Sequence, residues 1–439
     1  MNIDTVLAIL QQSEYDLPRL KRWLKTRTSA STPAIEPEKW THKLSFVKLV
    51  TQVFFFLPLL TRIALALDLL FPFEWIVRHV IYTMASIKLG YYKLRGLKVV
   101  AIAGSYGKTS TKTIIESTYS SLTPTLMTPK SINTLLGISQ IILSDLKPEH
   151  KLFLVEFGEY HLHDIPQLTK FVKPHYGILT PIGRQHLELL GSFKNVLATF
   201  SHFLNYFDKK PDALLVAVEN AQYFSQKLNY YGTAPQSVFR AINVKVSRAG
   251  TEFECLDHSQ NATLQVFSPL FGEHQAVNTL PALWLAHKLK ISQVEIIKKL
   301  RSIPYISRRH EPMFLARNVL ILDNSYNTNA DSVTDSLKLL NHLDPARRLI
   351  VTLGFTELGD EAEKIHYEFG RQLADQVDYV GLIEAPWTSA IIEGFTKAGG
   401  NKNHIVIGKT QTEAYEKLQQ YIIPNSIVLF EGGYREVYV

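Results

Sequence analysis

The 439-residue sequence contains one cysteine, Cys255, and this scarcity excludes several kinds of protein. A single cysteine cannot form an internal disulfide, and it cannot supply the cysteine clusters that hold structural zinc. A disulfide-stapled secreted domain is therefore excluded, and a reducing, cytoplasmic compartment is expected. The first residues include acidic ones and lack the basic segment that opens a secretory signal peptide, so no cleaved signal is predicted.

Long uncharged runs are also lacking, even in the most apolar part of the chain, residues 46–85. The longest of them, residues 49–61, is shorter than the roughly 20 residues that a membrane-spanning helix needs. Three interpretations stay open: buried helices, an interfacial amphipathic hairpin, or membrane helices interrupted by charges. Aromatic content and basic flanks keep contact with the inner face of the cytoplasmic membrane among the expectations. Residues 1–96 are assigned to one apolar, mostly helical region.

The composition is otherwise that of a globular protein, with 46% apolar and 20% charged residues. A chain of this length is too long for one hydrophobic core, so two or three domains are predicted. The formal charge of +7 would serve nucleic acid, an anionic membrane or an acidic nucleotide substrate, and it does not choose among them.

From residue 97 onward, short apolar runs alternate with helical patterns, which is typical of an α/β fold with mainly parallel sheets. The runs LKVVAIAG, KLFLVEFG, YGILTPIG and ALLVAVE are predicted to be buried parallel strands. Residues 237–267 predict antiparallel strands instead. Five strand candidates after Pro304, from NVLILDN to SIVLFEG, predict a smaller doubly wound domain. The predicted domains are therefore 97–303 and 304–439.

The segment VVAIAGSYGKTSTKTIIE carries the strongest chemical signal, because a strand runs into a glycine turn, a lysine and hydroxyl residues before a helical pattern. Gly104 and Gly107 allow backbone N–H groups to approach phosphates, Lys108 neutralises phosphate charge, and Thr109 can ligate Mg²⁺. An ordinary strand-to-helix turn with a surface lysine is the alternative. The order of strand, turn and helix favours a phosphate-binding loop.

This loop and four later segments resemble the Mur ligase family, whose phosphate loop has the form G-x-x-G-K-[ST]-[ST]. The resemblance extends over about residues 97–431. It implies a central ATP-binding domain with a parallel sheet, a C-terminal Rossmann-like domain, and ATP and Mg²⁺ as cofactors. The similar segments are LFLVEFGEYHLHDI, YGILTPIGRQHLELLGSF, FGEHQAVNTLPALWLA and SRRHEP.

The resemblance also implies roles for individual residues. Lys108, Glu156 and His186 are expected to be catalytic, and Thr109 is expected to join Glu156 and His186 at the metal. A solvated carboxylate at a strand end and a turn histidine are the alternative interpretations of the last two. The residues expected at the nucleotide are Gly104, Ser105, Gly107, Lys108, Thr109, Ser110, His274, Asn278, Arg309 and Asp323. The residues expected at the substrate are Asn133, Thr134, Tyr326, Asn327 and Asn329, of which the last three would otherwise only shape a polar turn.

Two further segments, LDNSYNTNADS and GFTELGDEAEKIH, resemble those of family members that add D-alanyl-D-alanine to a UDP-linked muramoyl tripeptide. The implied reaction is an ATP-dependent, ADP-forming amide ligation through an acyl phosphate. A monomer without a nucleic-acid partner is expected. The alternatives are a family member with another acceptor, such as an amidating or folate-type ligase, and a degenerate nucleotide-binding scaffold at the membrane.

The sequence departs from the family pattern at several positions. Thr199 or Phe200 falls where the family carries a carbamylated lysine, so a lysine introduced at position 200 is expected to restore a metal ligand. The family's paired aspartates are here Asp323 and Asn324, and its late Lys-Gly-Ser is replaced by a segment that begins with Glu431. The family's N-terminal uridine-nucleotide domain has no recognisable counterpart in residues 1–96.

Overall fold

The computed structural model describes residues 47–48, 59–129, 132–184, 187–225, 227–326, 330–356 and 358–432, with only the backbone for residues 59–73 and 188. The chain divides into two compact units, one formed by residues 1–83 and 435–439 and the other by residues 84–434. The larger unit contains both sheets and all the described residues discussed below as candidate site residues.

The apolar N-terminal segment continues into one long helix, α1, which runs without interruption over Leu59–Leu94. No turn of a hairpin, one of the three interpretations of residues 46–85, lies within this range. Across the described residues, no helix has a stretch both long and apolar enough to cross a membrane. The last turns of α1 belong to the larger unit, where Lys88 Nζ donates to the carbonyl of Leu143 at 2.8 Å.

The first sheet has nine strands, and its buried parallel strands were predicted from the apolar runs. Their order in the sheet is β2-β3-β1-β4-β5-β6-β7-β8-β9. The last three strands pair antiparallel, as the sequence predicts for this stretch. The bounds are β1 Lys98–Ala103, β2 Thr125–Met127, β3 Leu152–Glu156, β4 Tyr176–Leu179, β5 Leu214–Ala217, β6 Tyr230–Gly232, β7 Ser237–Ser247, β8 Gly250–Asp257 and β9 Ala262–Ser268.

Helices cover both faces of the first sheet. Alternate residues of β1 enter opposite cores: Val100 and Ile102 pack with α2 and α7, whereas Val99 and Ala101 pack with α1, α3, α4 and α6. Burial on both faces explains why the strands read as continuous apolar runs. The helix bounds are α2 Lys108–Tyr119, α3 Leu135–Ser144, α4 Asp164–Val172, α5 Leu187–Leu190, α6 Phe193–Tyr206, α7 Glu273–Leu289 and α8 Gln293–Leu300.

The second sheet has six strands in the order β10-β11-β15-β12-β13-β14, and all its pairs are parallel except β10 with β11. The sequence predicts the five parallel strands but not β10. This strand is a largely exposed edge, and its apolar run, residues 313–315, is short and follows Pro312, which argues against a buried strand. The bounds are β10 Glu311–Leu315, β11 Val319–Asn324, α9 Val333–His342, β12 Arg347–Thr352, α10 Ala362–Gln376, β13 Tyr379–Ile383, α11 Thr388–Lys397, β14 Ile405–Gly408, α12 Gln411–Leu418 and β15 Ser426–Glu431.

The topology of the first sheet brings three loops together. Strand β1 lies between β3 and β4, and all three run parallel. Their carboxyl ends therefore meet at one edge, which is where open α/β sheets place ligand sites. The phosphate loop follows β1, Glu156 ends β3, and residues 180–184 follow β4.

Candidate active site

The phosphate loop turns tightly between β1 and α2, and two glycines permit it. Gly104 has φ +131° and Gly107 has φ +80°, both in the range that side chains with a Cβ disfavour. A Cβ on Gly104 would overlap Thr180, and one on Gly107 would lie 2.9 Å from Asn278 Oδ1. The loop therefore packs directly against the end of β4 and against α7.

The Lys108 side chain folds back over its own loop. Its Nζ donates to the carbonyls of Gly104 and Ser105, and it donates to both carboxylate oxygens of Glu159 at 2.8 and 3.0 Å. Both partners of this ion pair are buried. Glu159 is absent from the residues predicted by sequence, although it lies only three positions after Glu156.

Glu156 forms a second buried ion pair beside the first. Its Oε2 accepts from Lys112 Nζ at 2.8 Å and from Thr109 Oγ1 at 3.0 Å. Asn133 Nδ2 lies 3.5 Å from Oε1. Burial opposes ionisation of this carboxyl, but the cations of Lys112 and Lys108 outweigh burial and hold its pKa below the usual value.

The oxygen atoms around Glu156 fit a magnesium ion. Thr109 supplies a hydroxyl, Glu156 a carboxylate, and Asn133 a buried carbonyl oxygen, Oδ1, without a hydrogen-bond partner in the described part of the chain. Hard oxygen donors of this kind suit Mg²⁺. Within the described part of the chain, no three histidine, cysteine or acidic residues are arranged to hold a metal by themselves. His186, the third predicted ligand, lies outside the described residues. A metal here would rely on phosphate oxygens and water for its remaining ligands.

A cavity of about 440 Å³ lies beside the phosphate loop. It brings together residues predicted at the nucleotide from three separate segments, because the loop, α7 and the start of the C-terminal sheet all reach it. Residues that were not predicted also line it, among them Glu219, Asp335 and Lys338. The predicted residues at its wall are Gly107, Ser110, His274, Asn278 and Arg309.

Two neighbouring histidines lie in this cavity. The rings of His274 and His310 have centroids 4.8 Å apart, and burial lowers the pKa of each. The shift is larger for His310, because His274 and the Arg309 cation add to the effect of burial. His274 Nδ1 is buried without a hydrogen-bond partner among the described residues, so it remains available to a ligand.

The residues predicted at the substrate are only partly brought together. Asn133 lies beside Glu156, but Thr134 caps α3, where its hydroxyl accepts from Gly137 N at 3.3 Å. Tyr326 is exposed, with the Arg309 guanidinium 4.9 Å from its ring centroid. Asn327 and Asn329 lie outside the described residues.

Asp323, predicted at the nucleotide, is occupied in the turn after β11. Its Oδ1 accepts from Ser325 N at 2.9 Å. The structure places it next to the cavity-lining Asn324 and does not include it in the cavity wall. Ser105 is buried in the phosphate loop, where its hydroxyl donates to the carbonyl of Gly183 at 3.3 Å.

Two departures from the family pattern are hydrogen-bonded to each other. Asn324 Nδ2 lies 3.1 and 3.0 Å from the two oxygens of Glu431, at the register where β11 pairs with β15. The same amide lies 3.2 Å from Ser336 Oγ, which in turn contacts His310 Nε2 at 2.9 Å. The sequence presents these changes as separate losses, whereas the fold makes them partners.

Phe200, at the expected position of the missing lysine, lies in the hydrophobic core. It is fully buried in the cluster that contains Phe157 and Phe203. Thr199 is also buried, and its hydroxyl has no partner among the described residues. A lysine at position 200 would place a charge in this core, so the expectation that it restores a metal ligand is wrong.

Models of two families match most of the chain. The Mur ligase middle domain matches residues 102–286, and the Mur ligase, glutamate ligase domain matches residues 308–433.

Two curated relatives carry the same name. The UDP-N-acetylmuramoyl-tripeptide--D-alanyl-D-alanine ligase of Escherichia coli strain K12 is 29% identical over 280 residues, which cover 62% of this chain and 61% of that protein. The ligase of the same name from Bacillus subtilis strain 168 is 24% identical over 306 residues, with coverage of 68% and 65%. The chain thus spans about three fifths of the length of the Escherichia coli protein.

Solved structures share the fold. MurF from Acinetobacter baumannii superposes with a TM-score of 0.70 at 24% identity and covers 82% of this chain and 78% of its own. The MurF ligase from Thermotoga maritima, solved in complex with ADP, gives a TM-score of 0.71 at 22% identity, with coverage of 82% and 81%.

Proposed function

Because the chain belongs to the Mur ligase family, we propose that it is an ATP-dependent, ADP-forming amide ligase that joins D-alanyl-D-alanine to a UDP-N-acetylmuramoyl-tripeptide. The observation that carries the proposal is the phosphate loop, whose Lys108 and glycines lie beside a cavity lined by His274, Asn278 and Arg309. The names of the relatives support this choice of acceptor and amine.

The reaction needs ATP because an oxide cannot leave when an amine attacks a carboxylate. Transfer of the γ-phosphoryl group to the substrate carboxylate releases ADP and gives an acyl phosphate. The amine then attacks the acyl carbon, phosphate leaves with the carbon–oxygen electron pair, and the amine loses a proton. Water must be excluded while the acyl phosphate exists, since water would hydrolyse it.

The residues of the loop divide the work. Lys108 would stabilise charge on the transferring phosphoryl group, and the N–H groups at the start of α2 would cradle the phosphates. Arg309 and Asn278 would hold the remainder of the nucleotide in the cavity. Thr109 and Glu156 would hold Mg²⁺, which supplies positive charge to the phosphates when bound.

The direct test follows ADP and phosphate release by the full chain with a panel of muramoyl acceptors and amines. We expect release to require both a UDP-linked muramoyl tripeptide and D-alanyl-D-alanine, with a ligated product of the summed mass less water. Release with a different pair would replace the acceptor or amine. ATP binding without any amine-dependent release would favour the scaffold alternative.

We also propose that the enzyme works as a monomer at the inner face of the cytoplasmic membrane. Within the larger unit, α1 exposes an apolar stripe with three- and four-residue spacing: Met84, Ile87, Tyr91 and Leu94. Exposed Arg95 and Lys98 follow it, and cations beside an apolar stripe suit an anionic lipid surface.

Vesicle sedimentation tests the membrane contact. Ile87→Asp with Leu94→Asp is expected to abolish binding to phosphatidylglycerol vesicles. Val294→Asp is the control, since Val294 is also apolar and exposed but lies on α8. Equal sedimentation of all three proteins contradicts the contact.

A further inference from the structure

Glu159 is paired with Lys108, the cation that is proposed to bind the phosphates. Four oxygen atoms surround Lys108 Nζ: two backbone carbonyls of the loop and both oxygens of the Glu159 carboxylate. Glu159 is only 2% exposed, so water cannot solvate its carboxylate when the ion pair separates. A triphosphate that binds through Lys108 must therefore displace this carboxylate or share the lysine with it.

Sharing is unfavourable because both ligands are anionic. A carboxylate and a phosphate that touch the same ammonium group lie within a few ångströms of each other, and burial strengthens their repulsion. Lys112 is already committed to Glu156 at 2.8 Å. A nucleotide that brings a further positive charge with it would therefore displace the carboxylate more readily than the nucleotide alone.

An unsatisfied oxygen marks where that charge would lie. Asn133 is 5% exposed, and its Oδ1 has no hydrogen-bond partner among the described residues, while its Nδ2 faces Glu156. A Cβ built on Gly158, the residue before Glu159, would lie 2.7 Å from this oxygen. A buried carbonyl oxygen that has no donor among the described residues, beside the Glu156 carboxylate and the backbone just before Glu159, is a suitable ligand for a divalent cation.

We propose that Glu159 couples nucleotide entry to the divalent cation: it releases Lys108 to the phosphates and, with Asn133 Oδ1, becomes a ligand of Mg²⁺. Lys108 and Glu159 are paired without nucleotide and part when the metal-nucleotide complex binds. The inference rests on the proposed function only in requiring that ATP binds at this loop.

Nucleotide binding with and without metal tests the inference on the full chain. The dissociation constant of a non-hydrolysable ATP analogue is measured by calorimetry in EDTA and in Mg²⁺. Glu159→Gln keeps the shape of the side chain and removes its charge. We expect it to bind the metal-free analogue at least tenfold more tightly than wild type and to lose most of the gain from Mg²⁺. Glu149→Gln, at an exposed position, is the matched control and is expected to match wild type.

A second variant tests the metal without touching the lysine. Asn133→Leu is expected to leave metal-free binding unchanged and to weaken binding of Mn²⁺, followed by electron paramagnetic resonance with the analogue present, at least tenfold. If Glu159→Gln weakens analogue binding equally in EDTA and in Mg²⁺, Glu159 only orients Lys108 and the inference is overturned. If wild type binds no nucleotide under either condition, the proposed function fails instead.

Discussion

Two buried polar clusters in this molecule are built in opposite ways. At the phosphate loop, full charges are paired: Lys108 with Glu159, and Lys112 with Glu156. In the C-terminal sheet, the Glu431 carboxylate meets the neutral amide of Asn324. The paired side chains of both clusters are buried and hydrogen-bonded to each other. The clusters differ in whether a ligand can replace one side chain of a pair.

Exchange is easier where both partners carry charge. Buried ion pairs recover only part of the cost of desolvation, so an incoming ligand of the same charge can replace one partner. The amide of Asn324 is instead fixed by strand register, because β11 and β15 place it opposite Glu431. We therefore assign the first cluster to nucleotide exchange and the second to holding the C-terminal sheet in place.

The largest effect is expected at the first cluster. Lys108→Ala should lower ATP turnover by about 10³-fold, because it removes the cation that stabilises the transferring phosphoryl group. It should also destabilise the fold by about 3 kcal/mol, since the buried Glu159 carboxylate loses the cation of Lys108. Steady-state ADP release and urea unfolding measure the two effects.

The double variant Lys108→Ala with Glu159→Gln separates them. Glu159→Gln removes the buried carboxylate charge that has lost Lys108, so the double variant should regain stability but not turnover. Near-normal ADP release by either folded variant would contradict the role of Lys108.

The second cluster is tested by adding a charge. Asn324→Asp would place two carboxylates at the distance of a hydrogen bond, which raises the pKa of one of them above its unfolded value. The variant should match wild type in stability below about pH 4 and lose about 3 kcal/mol as pH rises towards neutrality. Urea unfolding at several pH values measures this.

Asn324→Asp combined with Glu431→Lys is the compensating variant. It pairs opposite charges at the same register and should recover most of the lost stability. If Asn324→Asp alone is as stable as wild type at pH 7, the two positions are not coupled and the separate-loss interpretation stands.

A neutral buried histidine gives the next effect. His366 accepts from Phe355 N at 2.9 Å and stacks on Trp387, and burial lowers its pKa to about 4. Because the folded pKa is below the unfolded value near 6.5, its contribution is complete above pH 6.5 and is lost as pH falls towards 4.

His366→Gln should remove that dependence. The loss of unfolding free energy between pH 7 and pH 4.5 should shrink by about 2.5 kcal/mol relative to wild type. His404→Gln, at a half-buried site with a ring stacked on Tyr379, is the comparison variant. An unchanged pH dependence in His366→Gln would show that this imidazole is protonated in the folded protein.

The smallest effect is expected at the helix cap beside the site. Thr134→Ala should cost about 1 kcal/mol of stability, because it removes the acceptor for Gly137 N at the start of α3. Thr134→Ser should keep most of it. A clear rise in KM in Thr134→Ser at unchanged stability would favour the predicted substrate contact over the cap.

Sequence patterns predicted the parts of the fold that have a period or a motif. Buried strands appear as apolar runs, and the phosphate loop has a fixed order of glycines, lysine and hydroxyl residues, so both were predicted before the structure. The edge strand β10 was missed because its apolar run is only three residues long and follows Pro312.

The pairing of side chains could not be predicted from the sequence for a different reason. Asn324 and Glu431 are 107 positions apart, and only strand register shows that they face each other. Glu159 lies in a loop without periodicity, so nothing in the sequence marks it as the partner of Lys108. Position 200 was placed by counting along a helix, which gives a location but not the direction of a side chain.

The close approach of Gly107 to Asn278 has a consequence for motion. α2 and α7 touch at the phosphate loop, and Tyr119 at the far end of α2 donates to the carbonyl of Ala282 at 2.8 Å. Two helices joined at two places open together, since neither can leave without breaking the contacts of the other. Their amide hydrogens should therefore exchange with solvent as one cooperative unit. The distance between the phosphate loop and the cavity-lining residues of α7 would then stay constant during turnover.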